Sequence, residues 1–334
     1  MLKSTIDTSV INDDFQKPTR TKKDLFKAII DVFRPLRWYR NSFMLAAVIL
    51  TIKLLNIDIR TVFSFSFIYP VVIAFIALCL VASGNYGINE VCDLETDKHH
   101  PEKKNRAIPS GKISTVTVSV LSVVLYIAGL LLVSTIKNYM LFISLTLLLI
   151  SGILYNIKPF RLKDKPYLDF TFEAINNPIR LMVGWYAVAK PESLVPASII
   201  LGFWFLGIFL MASKRFGEIR FIQDKQEAAK YRNSFKYYNQ EKLLFSMIAA
   251  AVSFSYMLGA LSFKYSVDVI VALPFIVIWQ VWFFHLAYQQ NTVVKDPERI
   301  FEKKWFLLYS LLTILLFGYL FFSGNQFLGW FLRK

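Results

Sequence analysis

Residues 83–112 hold the side chains best suited to chemistry, because acidic groups recur there at helical spacing. Asn89, Asp93 and Asp97 are each four residues apart, so on a helix they form one stripe that rises about 6 Å per step. Glu90 lies one residue round from Asn89. Carboxylate and amide oxygens without clustered histidines suit a hard cation such as Mg²⁺. We therefore predict that these four residues bind Mg²⁺ and that the stripe of Asn89, Asp93 and Asp97 is catalytic.

Basic side chains follow the stripe directly. They are Lys98, Lys103, Lys104, Arg106 and Lys112. Mg²⁺ usually takes one or two carboxylates and completes its shell with water and substrate phosphate oxygens, and lysine and arginine both bind phosphate. Acids for a metal beside bases for a phosphate indicate diphosphate chemistry. The plainer interpretation is that these charges only solvate the end of a helix.

The composition places this chemistry in a membrane. Of 334 residues, 55% are apolar, 16% aromatic and only 18% charged, and the mean hydropathy is +0.47. Such values are typical of a polytopic membrane protein and not of an ordinary soluble domain. The formal charge of +15 is expected on the loops of one face of the membrane, so no nucleic-acid partner is predicted.

Nine apolar runs are long enough to cross roughly 30 Å of hydrocarbon. They cover residues 41–57, 62–86, 114–135, 139–155, 167–189, 195–213, 243–263, 266–290 and 305–323. Backbone amides in lipid must bond internally, and the runs lack the alternation of barrel strands, so each is predicted to be a helix. The expected fold is all-α. Residues 1–24 are predicted to form a flexible polar tail, and residues 25–334 a single nine-helix transmembrane catalytic domain.

The basic residues predict the orientation of this bundle. Thirty of the 38 Lys and Arg fall in segments that share one side, and seven fall on the other. Basic loops stay in the cytoplasm, so the N-terminus and the long loops are expected there, with the C-terminus outside. The protein is therefore predicted to lie in the cytoplasmic (inner) membrane, with its active site facing the cytoplasm. The oligomeric state does not follow from the sequence.

The stripe resembles the first acidic signature of the UbiA superfamily of intramembrane prenyltransferases, N-D-x-x-D-x-x-x-D at the end of the second helix. Here it reads N-E-V-C-D-L-E-T-D over residues 89–97, with Glu90 in place of the usual Asp. The resemblance implies a UbiA-like helical bundle with Mg²⁺ as its cofactor.

Further motifs are similar to the decaprenyl-phosphate phosphoribosyltransferase branch of that superfamily. They are R-P-L-R-W-Y-R-N at 34–41, H-P-E-K-K-N-R-A-I-P-S-G at 100–111, the fifth-span set Asp169, Arg180 and Gly184, and S-K-R-F-G-E at 213–218. The D-x-x-x-D motif of prenyl-transferring members is missing after the sixth span, which favours this branch. Glu173, Asn176 and Asn177 make the fifth span more polar than the branch pattern.

The resemblance implies transfer of 5-phosphoribose from phosphoribosyl diphosphate to a polyprenyl phosphate, with release of diphosphate. Lys103 and Arg106 would bind the diphosphate together with the metal. Lys214, Arg215 and Glu218 would hold the ribose or its 5-phosphate. Lys158, Arg161 and Arg180 would position the lipid phosphate, while apolar helix faces accept the prenyl chain.

Other interpretations remain open from the sequence. Lys158 and Arg161 could only anchor the chain at the interface, and Arg180 could pair with Glu173 for structure alone. A conventional UbiA enzyme would move a prenyl group from a prenyl diphosphate to an aromatic or lipid acceptor through the same stripe. A transporter would distribute polar residues through the full membrane depth, whereas here they crowd one end.

Overall fold

The computed structural model describes residues 21–98, 103–222, 226, 232–289 and 302–323, and these parts of the chain contain helices and no strand. The all-α prediction is confirmed for them. The helices are α1 Lys22–Phe33, α2 Phe43–Leu54, α3 Ile59–Val62, α4 Phe65–Cys92, α5 Leu94–Lys98, α6 Thr115–Ser134, α7 Tyr139–Asn156, α8 Leu168–Ala174, α9 Asn176–Val188, α10 Ala197–Ile222, α11 Gln240–Tyr265, α12 Leu273–Tyr288 and α13 Lys304–Phe322. Short 3₁₀ turns include Pro35–Ser42, Lys103–Asn105, Leu162–Asp164, Asn233–Lys236 and Val267–Ala272.

Seven helical segments in the described residues are long and apolar enough to cross a membrane. They are α4, α6, α7, α10, α11, the segment Val267–Tyr288 that contains α12, and α13. The predicted first span becomes the 12-residue α2, and the predicted fifth span divides into α8 and α9 at Ile175. Pro178 lacks an amide hydrogen and lies in the first turn of α9, where that donor is not needed. The prediction of nine transmembrane helices is therefore not confirmed, since seven segments of the described residues have the length and composition of a span.

The first half of the bundle packs around α4. Its small residues Ala74 and Ala77 are fully buried against leucines of α7 and residues of α9. Small side chains let helices approach closely, which drives association in lipid where water supplies no driving force. Gly184 shows how close α9 comes to α2, since a Cβ there would lie 2.1 Å from the Met44 oxygen.

The second half joins α8, α10, α11 and α12 through a separate apolar cluster. Phe209, Phe216, Phe235 and Phe283 lie at its centre, and rings such as Phe209 and Phe283 pack 5.5 Å apart. The α10–α11 pair is the most extensive helix contact in the described structure. Each half thus has its own apolar core, and the polar residues lie where the helices of both halves end.

The helix α1 lies beside the end of α4 that carries the acidic stripe. Its first residue is capped by Thr21, which exchanges hydrogen bonds with Asp24 in a capping box. Residues 22–24 of the predicted tail are therefore helical, and residues 1–20 lie outside the described part. Ala28 and Val32 pack against the loop that follows the stripe, at Ala107, Ile108 and Ile113. This contact fixes the loop over the end of α4.

Candidate active site

The acidic stripe crosses the end of α4. Asn89 lies inside this helix, whereas Asp93 and Asp97 follow it. The last residue of α4 is Cys92, and Asp93 caps it with φ −96° and ψ 0°. The chain then continues into α5, where the Asp97 amide donates to the Asp93 carbonyl at 2.8 Å. The near-helical path keeps the side chains of Asn89, Asp93 and Asp97 at one end of the bundle, as the spacing predicts.

Asp93 is held by two cations from the loop after α7. Its Oδ1 lies 2.9 Å from Arg161 Nη2 and 2.6 Å from Lys163 Nζ. Burial by itself would raise the pKa of the Asp93 carboxyl, but Lys163 and Arg161 outweigh it and hold the pKa below its ordinary value. Asp93 is therefore ionised at neutral pH, as a carboxylate ligand of a metal must be.

Asn89 reaches the same loop through Asn156, the last residue of α7. Asn89 Nδ2 donates to Asn156 Oδ1 at 2.6 Å, and Lys163 Nζ donates to the same oxygen at 2.9 Å. The buried Asn156 is itself anchored by a bond from its Nδ2 to the Gly152 carbonyl. Because Lys163 contacts both Asn156 and Asp93, two members of the stripe are held by one basic side chain.

Asp97 forms the third anchored group. The carboxylate is 2% exposed, and its Oδ2 lies 2.6 Å from Arg106 Nη1. Lys103 lies in the same loop, and burial lowers the pKa of its ammonium group; Asp97 opposes this effect and Arg106 adds to it. The loop thus brings two cations to the acidic stripe.

Glu90 takes a different direction from the stripe. Its Oε1 accepts the Ile108 amide at 3.3 Å and its Oε2 lies 3.8 Å from Arg34. It is buried, and these contacts join α4 to the loop and to the segment before α2. In this structure Glu90 contacts the loop and Arg34, and its expected contact with a metal stays a prediction.

The stripe fits Mg²⁺ as a partial ligand set. Among the described residues no three His, Cys, Asp or Glu converge on a single metal position. Mg²⁺ does not need such a cage, because it keeps water and phosphate oxygens beside one or two carboxylates. Both cation contacts of Asp93 use Oδ1, and that of Asp97 uses Oδ2, so each side chain has a second oxygen outside these ion pairs.

A second polar cluster surrounds Arg215 on α10. Its guanidinium, 2% exposed, lies 3.2 Å from Asp169 Oδ2, 2.8 Å from Glu173 Oε2 and 3.0 Å from Glu218 Oε2. One cation therefore satisfies three carboxylates, and each carboxylate needs a further donor to remain ionised in the protein interior.

Asp169 receives those donors from the segment after α10. Arg232 Nη1 lies 3.2 Å from its Oδ2 and Ser234 Oγ donates to the same atom at 3.0 Å. Tyr238 donates its hydroxyl proton to Oδ1. The fully buried Asp169 thus ties α8 to the segment 232–238, and it positions Arg232.

The two clusters adjoin at one end of the bundle. Tyr155 of α7 donates to Glu173 Oε2 of the second cluster at 3.0 Å, and its neighbour Asn156 accepts from Asn89 of the stripe at 2.6 Å. The turn Leu162–Asp164, which carries Lys163, also contacts the turn Asn233–Lys236, which carries Ser234. The polar ends of both halves of the bundle therefore lie side by side.

The remaining predicted residues do not all join this site. Lys158 is exposed and precedes the cis-proline Pro159, and no ion pair joins it to a carboxylate of the described residues. Arg161 is bound to Asp93 and to Asp164, the latter at 2.7 Å, so its guanidinium positions an acidic residue. Lys214 is partly buried on α10 beside Arg215.

The motif at 34–41 packs onto α4. Arg34 lies over the Tyr86 ring at 5.3 Å, and Trp38 Nε1 donates to Ser83 Oγ at 3.0 Å. Asn41 accepts from Arg180 Nε at 3.0 Å. The motif therefore connects the end of α4 with the fifth predicted span, while His100, Pro101 and Glu102 of the 100–111 motif lie outside the described residues.

Asn156 is a site residue that the sequence did not single out. It is an amide at the end of a transmembrane helix, and neither a motif nor its charge marks it. Lys163 and Arg232 lie in basic segments beside motif residues, where charge bias alone also predicts a basic residue. Asp169 and Glu173 carried a clearer signal, because a carboxylate inside an apolar run must find a partner.

Comparisons with known proteins show the family and the fold. A model of the UbiA prenyltransferase family matches residues 61–311. The decaprenyl-phosphate phosphoribosyltransferase of Mycolicibacterium smegmatis is 27% identical over 267 residues, which are 77% of this chain and 77% of that protein. The digeranylgeranylglyceryl phosphate synthase of Saccharolobus solfataricus is 42% identical over 79 residues, 24% of this chain and 27% of that protein.

A solved structure has the same fold. The UbiA homolog from Archaeoglobus fulgidus bound to GPP and Mg²⁺ aligns with a TM-score of 0.65 at 15% identity, covering 87% of this chain and 97% of that chain. At this identity the likeness shows the architecture and not the substrate.

Proposed function

The chain belongs to the UbiA prenyltransferase family, and we propose that within it the protein transfers 5-phosphoribose from phosphoribosyl diphosphate to a polyprenyl phosphate. The reaction would release diphosphate. The observation that carries the proposal is that two polar clusters, one at the acidic stripe and one around Arg215, adjoin at one end of the bundle. A relative that this chain matches over 77% of its length is a decaprenyl-phosphate phosphoribosyltransferase.

The two clusters suit a donor that is polar at both ends. Phosphoribosyl diphosphate has a diphosphate at one end and hydroxyls and a 5-phosphate at the other. A prenyl diphosphate has one anionic end and an apolar tail. The tail would displace water from the charged side chains of the second cluster and would not replace the hydrogen bonds that they lose. Among the cluster's charged side chains, Glu173 and Arg232 keep 34% and 23% of their surface exposed.

These exposures change the roles expected within the second cluster. Arg215 and Glu218 are enclosed, at 2% and 5% exposed, so they hold neighbouring side chains in place. Glu173 would accept hydrogen bonds from ribose hydroxyls, whereas Lys214 and Arg232 would donate to the 5-phosphate.

At the stripe, Asp93, Asp97 and Asn89 would hold Mg²⁺, which when bound neutralises charge on the leaving diphosphate. Lys103 and Arg106 would donate hydrogen bonds to diphosphate oxygens. Lys163 holds Asp93 and Asn156 together, so it keeps the stripe in position. These contacts stabilise charge that develops as the bond between the anomeric carbon and the diphosphate oxygen breaks.

The acceptor needs no general base. A lipid phosphate dianion supplies its own electron pair, forms the new bond to the anomeric carbon, and the diphosphate departs with the electrons of the broken bond. The soluble donor would enter from the end of the bundle that carries the polar loops. We place that end in the cytoplasm, and the protein in the inner membrane, because 30 of the 38 basic residues lie on this side.

A product assay tests the proposal. The purified protein in lipid nanodiscs receives ¹⁴C-labelled phosphoribosyl diphosphate, a polyprenyl phosphate and Mg²⁺, and the lipid extract is analysed by mass spectrometry. We expect a polyprenyl phosphoribosyl phosphate whose formation stops when EDTA is added. A protein that stays inactive with this donor, yet converts labelled prenyl diphosphate with an acceptor, would refute it.

The second candidate function is transfer of a prenyl group from a prenyl diphosphate to an aromatic or lipid acceptor. The 42% identity to a digeranylgeranylglyceryl phosphate synthase over 79 residues favours it. The same assay separates the two, because each donor carries its label into a different lipid product.

A further inference from the structure

The polar residues of the fifth predicted span form hydrogen bonds with α7. Glu173 Oε2 accepts the Tyr155 hydroxyl at 3.0 Å, and the structural pair of Glu173 with Arg180 that the sequence allowed is not formed. Asn176 Oδ1 lies 2.8 Å from the Ser151 hydroxyl, and Asn176 Nδ2 donates to the Glu173 carbonyl at 3.1 Å. The segment of α8 and α9 is therefore joined to two residues of α7 that lie about one helical turn apart.

A neighbouring face of α7 binds α4, the helix that leads into the stripe. Asn85 lies four residues before Asn89 and continues the stripe by one turn into the helix. Asn85 Nδ2 donates to the Leu148 carbonyl at 3.0 Å, and Asn89 Nδ2 donates to Asn156 Oδ1 at 2.6 Å. The space for this contact exists because residue 152 is glycine, where a Cβ would lie 2.0 Å from Asn85 Oδ1. This face of α7 therefore holds two amide side chains of α4.

The two faces of α7 are connected at the Leu148 carbonyl. This oxygen accepts from Asn85 and also lies 2.8 Å from the hydroxyl of Ser151, which is buried and shares its proton between this carbonyl and Asn176 Oδ1. Tyr126 of α6 donates to Asn85 Oδ1 at 2.8 Å. A chain of hydrogen bonds thus runs from α4 through α7 to α9. Satisfied polar networks in the protein interior hold the packed helices in one arrangement.

The end of α7 carries this arrangement into the site. Tyr155 and Asn156 are consecutive, yet the first bonds to Glu173 of the second cluster and the second to Asn89 of the stripe. A shift of α7 against α9 would therefore change the distance between Glu173 and Asn89. A donor that contacts both clusters needs that distance to be fixed, because a misplacement of about 1 Å can cost about 100-fold in rate.

We propose that Ser151 and Asn176 are positioning residues, whose hydrogen bond sets the distance between the acidic stripe and Glu173 for a donor that occupies both clusters. The inference rests on the proposed function, because only a donor that is polar at both ends depends on this distance. Ser151 and Asn176 act through the helices that they join and have no assigned contact with the substrate. The unusual polarity of the fifth predicted span at Asn176 is thereby explained by its bond to α7.

Binding of the whole donor and of its two halves tests this inference. Magnesium diphosphate, ribose 5-phosphate and magnesium phosphoribosyl diphosphate are each titrated by calorimetry into nanodiscs that hold the wild type, Ser151→Ala, Asn176→Ala or the control Ser144→Ala. Ser144 is also buried on α7, and its Oγ donates to the Met140 carbonyl of the same helix at 2.7 Å. We expect Ser151→Ala to bind each half as the wild type does, and the whole donor about 10- to 100-fold more weakly. Ser144→Ala is expected to bind all three ligands as the wild type does.

A double variant distinguishes positioning from a general loosening of the bundle. Ser151→Ala and Asn176→Ala remove the same hydrogen bond, so their combination should bind the whole donor no more weakly than the weaker of the two single variants. Additive losses would overturn the inference, and so would equal losses for the halves and the whole donor. Thermal unfolding shows which variants are folded, and if one single variant does not fold, the other carries the same comparison of halves and whole.

The outcome is separable from that of the proposed function. A wild type that binds neither ribose 5-phosphate nor phosphoribosyl diphosphate would overturn the proposed function and this inference with it. A wild type that binds both, together with a folded Ser151→Ala that binds the whole donor equally tightly, would overturn this inference alone.

Discussion

Replacement of Asp93 by asparagine removes one charge at the point where the stripe meets the basic loop. Asp93 Oδ1 contacts Lys163 at 2.6 Å and Arg161 at 2.9 Å, and the Lys163 side chain is only 6% exposed. Hydrogen bonds to charged groups contribute about 1.5–3 kcal/mol each. Because Asp93 is 20% exposed, solvent screening reduces this, and we expect unfolding to be easier by about 2 kcal/mol.

The loss of activity should exceed what this destabilisation explains. Removal of one group that stabilises developing charge typically costs about 100- to 1,000-fold in turnover. Turnover of Asp93→Asn is measured at saturating Mg²⁺ on protein shown by thermal unfolding to be folded. Lys163→Met is the matched control, because it removes the same contact and keeps the carboxylate. If Asp93→Asn turned over as fast as wild type, or if both variants lost equal activity, Asp93 would be only an anchor for the loop.

The pH dependence of the same variant checks the ion pair. The folded pKa of Asp93 lies below its ordinary value, which is about 3.9 in an unfolded chain. The pairing therefore stabilises the protein fully above that value and is lost as the pH falls through the lowered one. The difference in Tm between wild type and Asp93→Asn should be constant near neutral pH and shrink in acid. A difference that grows in acid would contradict the assignment.

Three other changes have defined outcomes. Lys163→Ala should lower turnover more than Lys158→Ala and less than Asp93→Asn, because Lys163 contacts the stripe but leaves its carboxylates in place when removed; equal kinetic losses in the two lysine variants would contradict this. Gly184→Ala should lower Tm, since its Cβ would lie 2.1 Å from a main-chain oxygen of α2, whereas Gly259→Ala, with open space around it, should raise Tm slightly. Arg215→Met leaves three carboxylates without their shared cation and should destabilise the fold by about 3–5 kcal/mol, visible as loss of folded protein in size-exclusion chromatography.

Local patterns predicted the all-helical class of this protein and the positions of most of its long helices. Apolar runs predicted the helices, because backbone amides in lipid must bond within the segment. The spacing of Asn89, Asp93 and Asp97 predicted that these residues form one stripe. The family followed from motifs that are contiguous in sequence. The same reasoning failed where an apolar run was not a uniform helix, as at Ile175, because hydropathy does not record where polar residues and proline divide a segment.

The contacts between segments could not be predicted. The spacing of residues shows which face of a helix they share, but it does not show which segment packs against that face. Glu90 and Asn89 are adjacent in sequence, yet one joins Arg34 and the other Asn156. Arg161 was expected to bind a substrate phosphate, and the sequence did not predict its ion pair with Asp93.

By itself the sequence determined that this protein is a helical membrane protein of the UbiA type with acids and bases at one end. Only the tertiary structure decided that Glu173 neutralises Arg215 and leaves Arg180 without a carboxylate among the described residues. The reason is physical: a buried charge is stabilised by whichever opposite charge packing brings within about 4 Å. Two residues of one predicted span can therefore have partners in different segments.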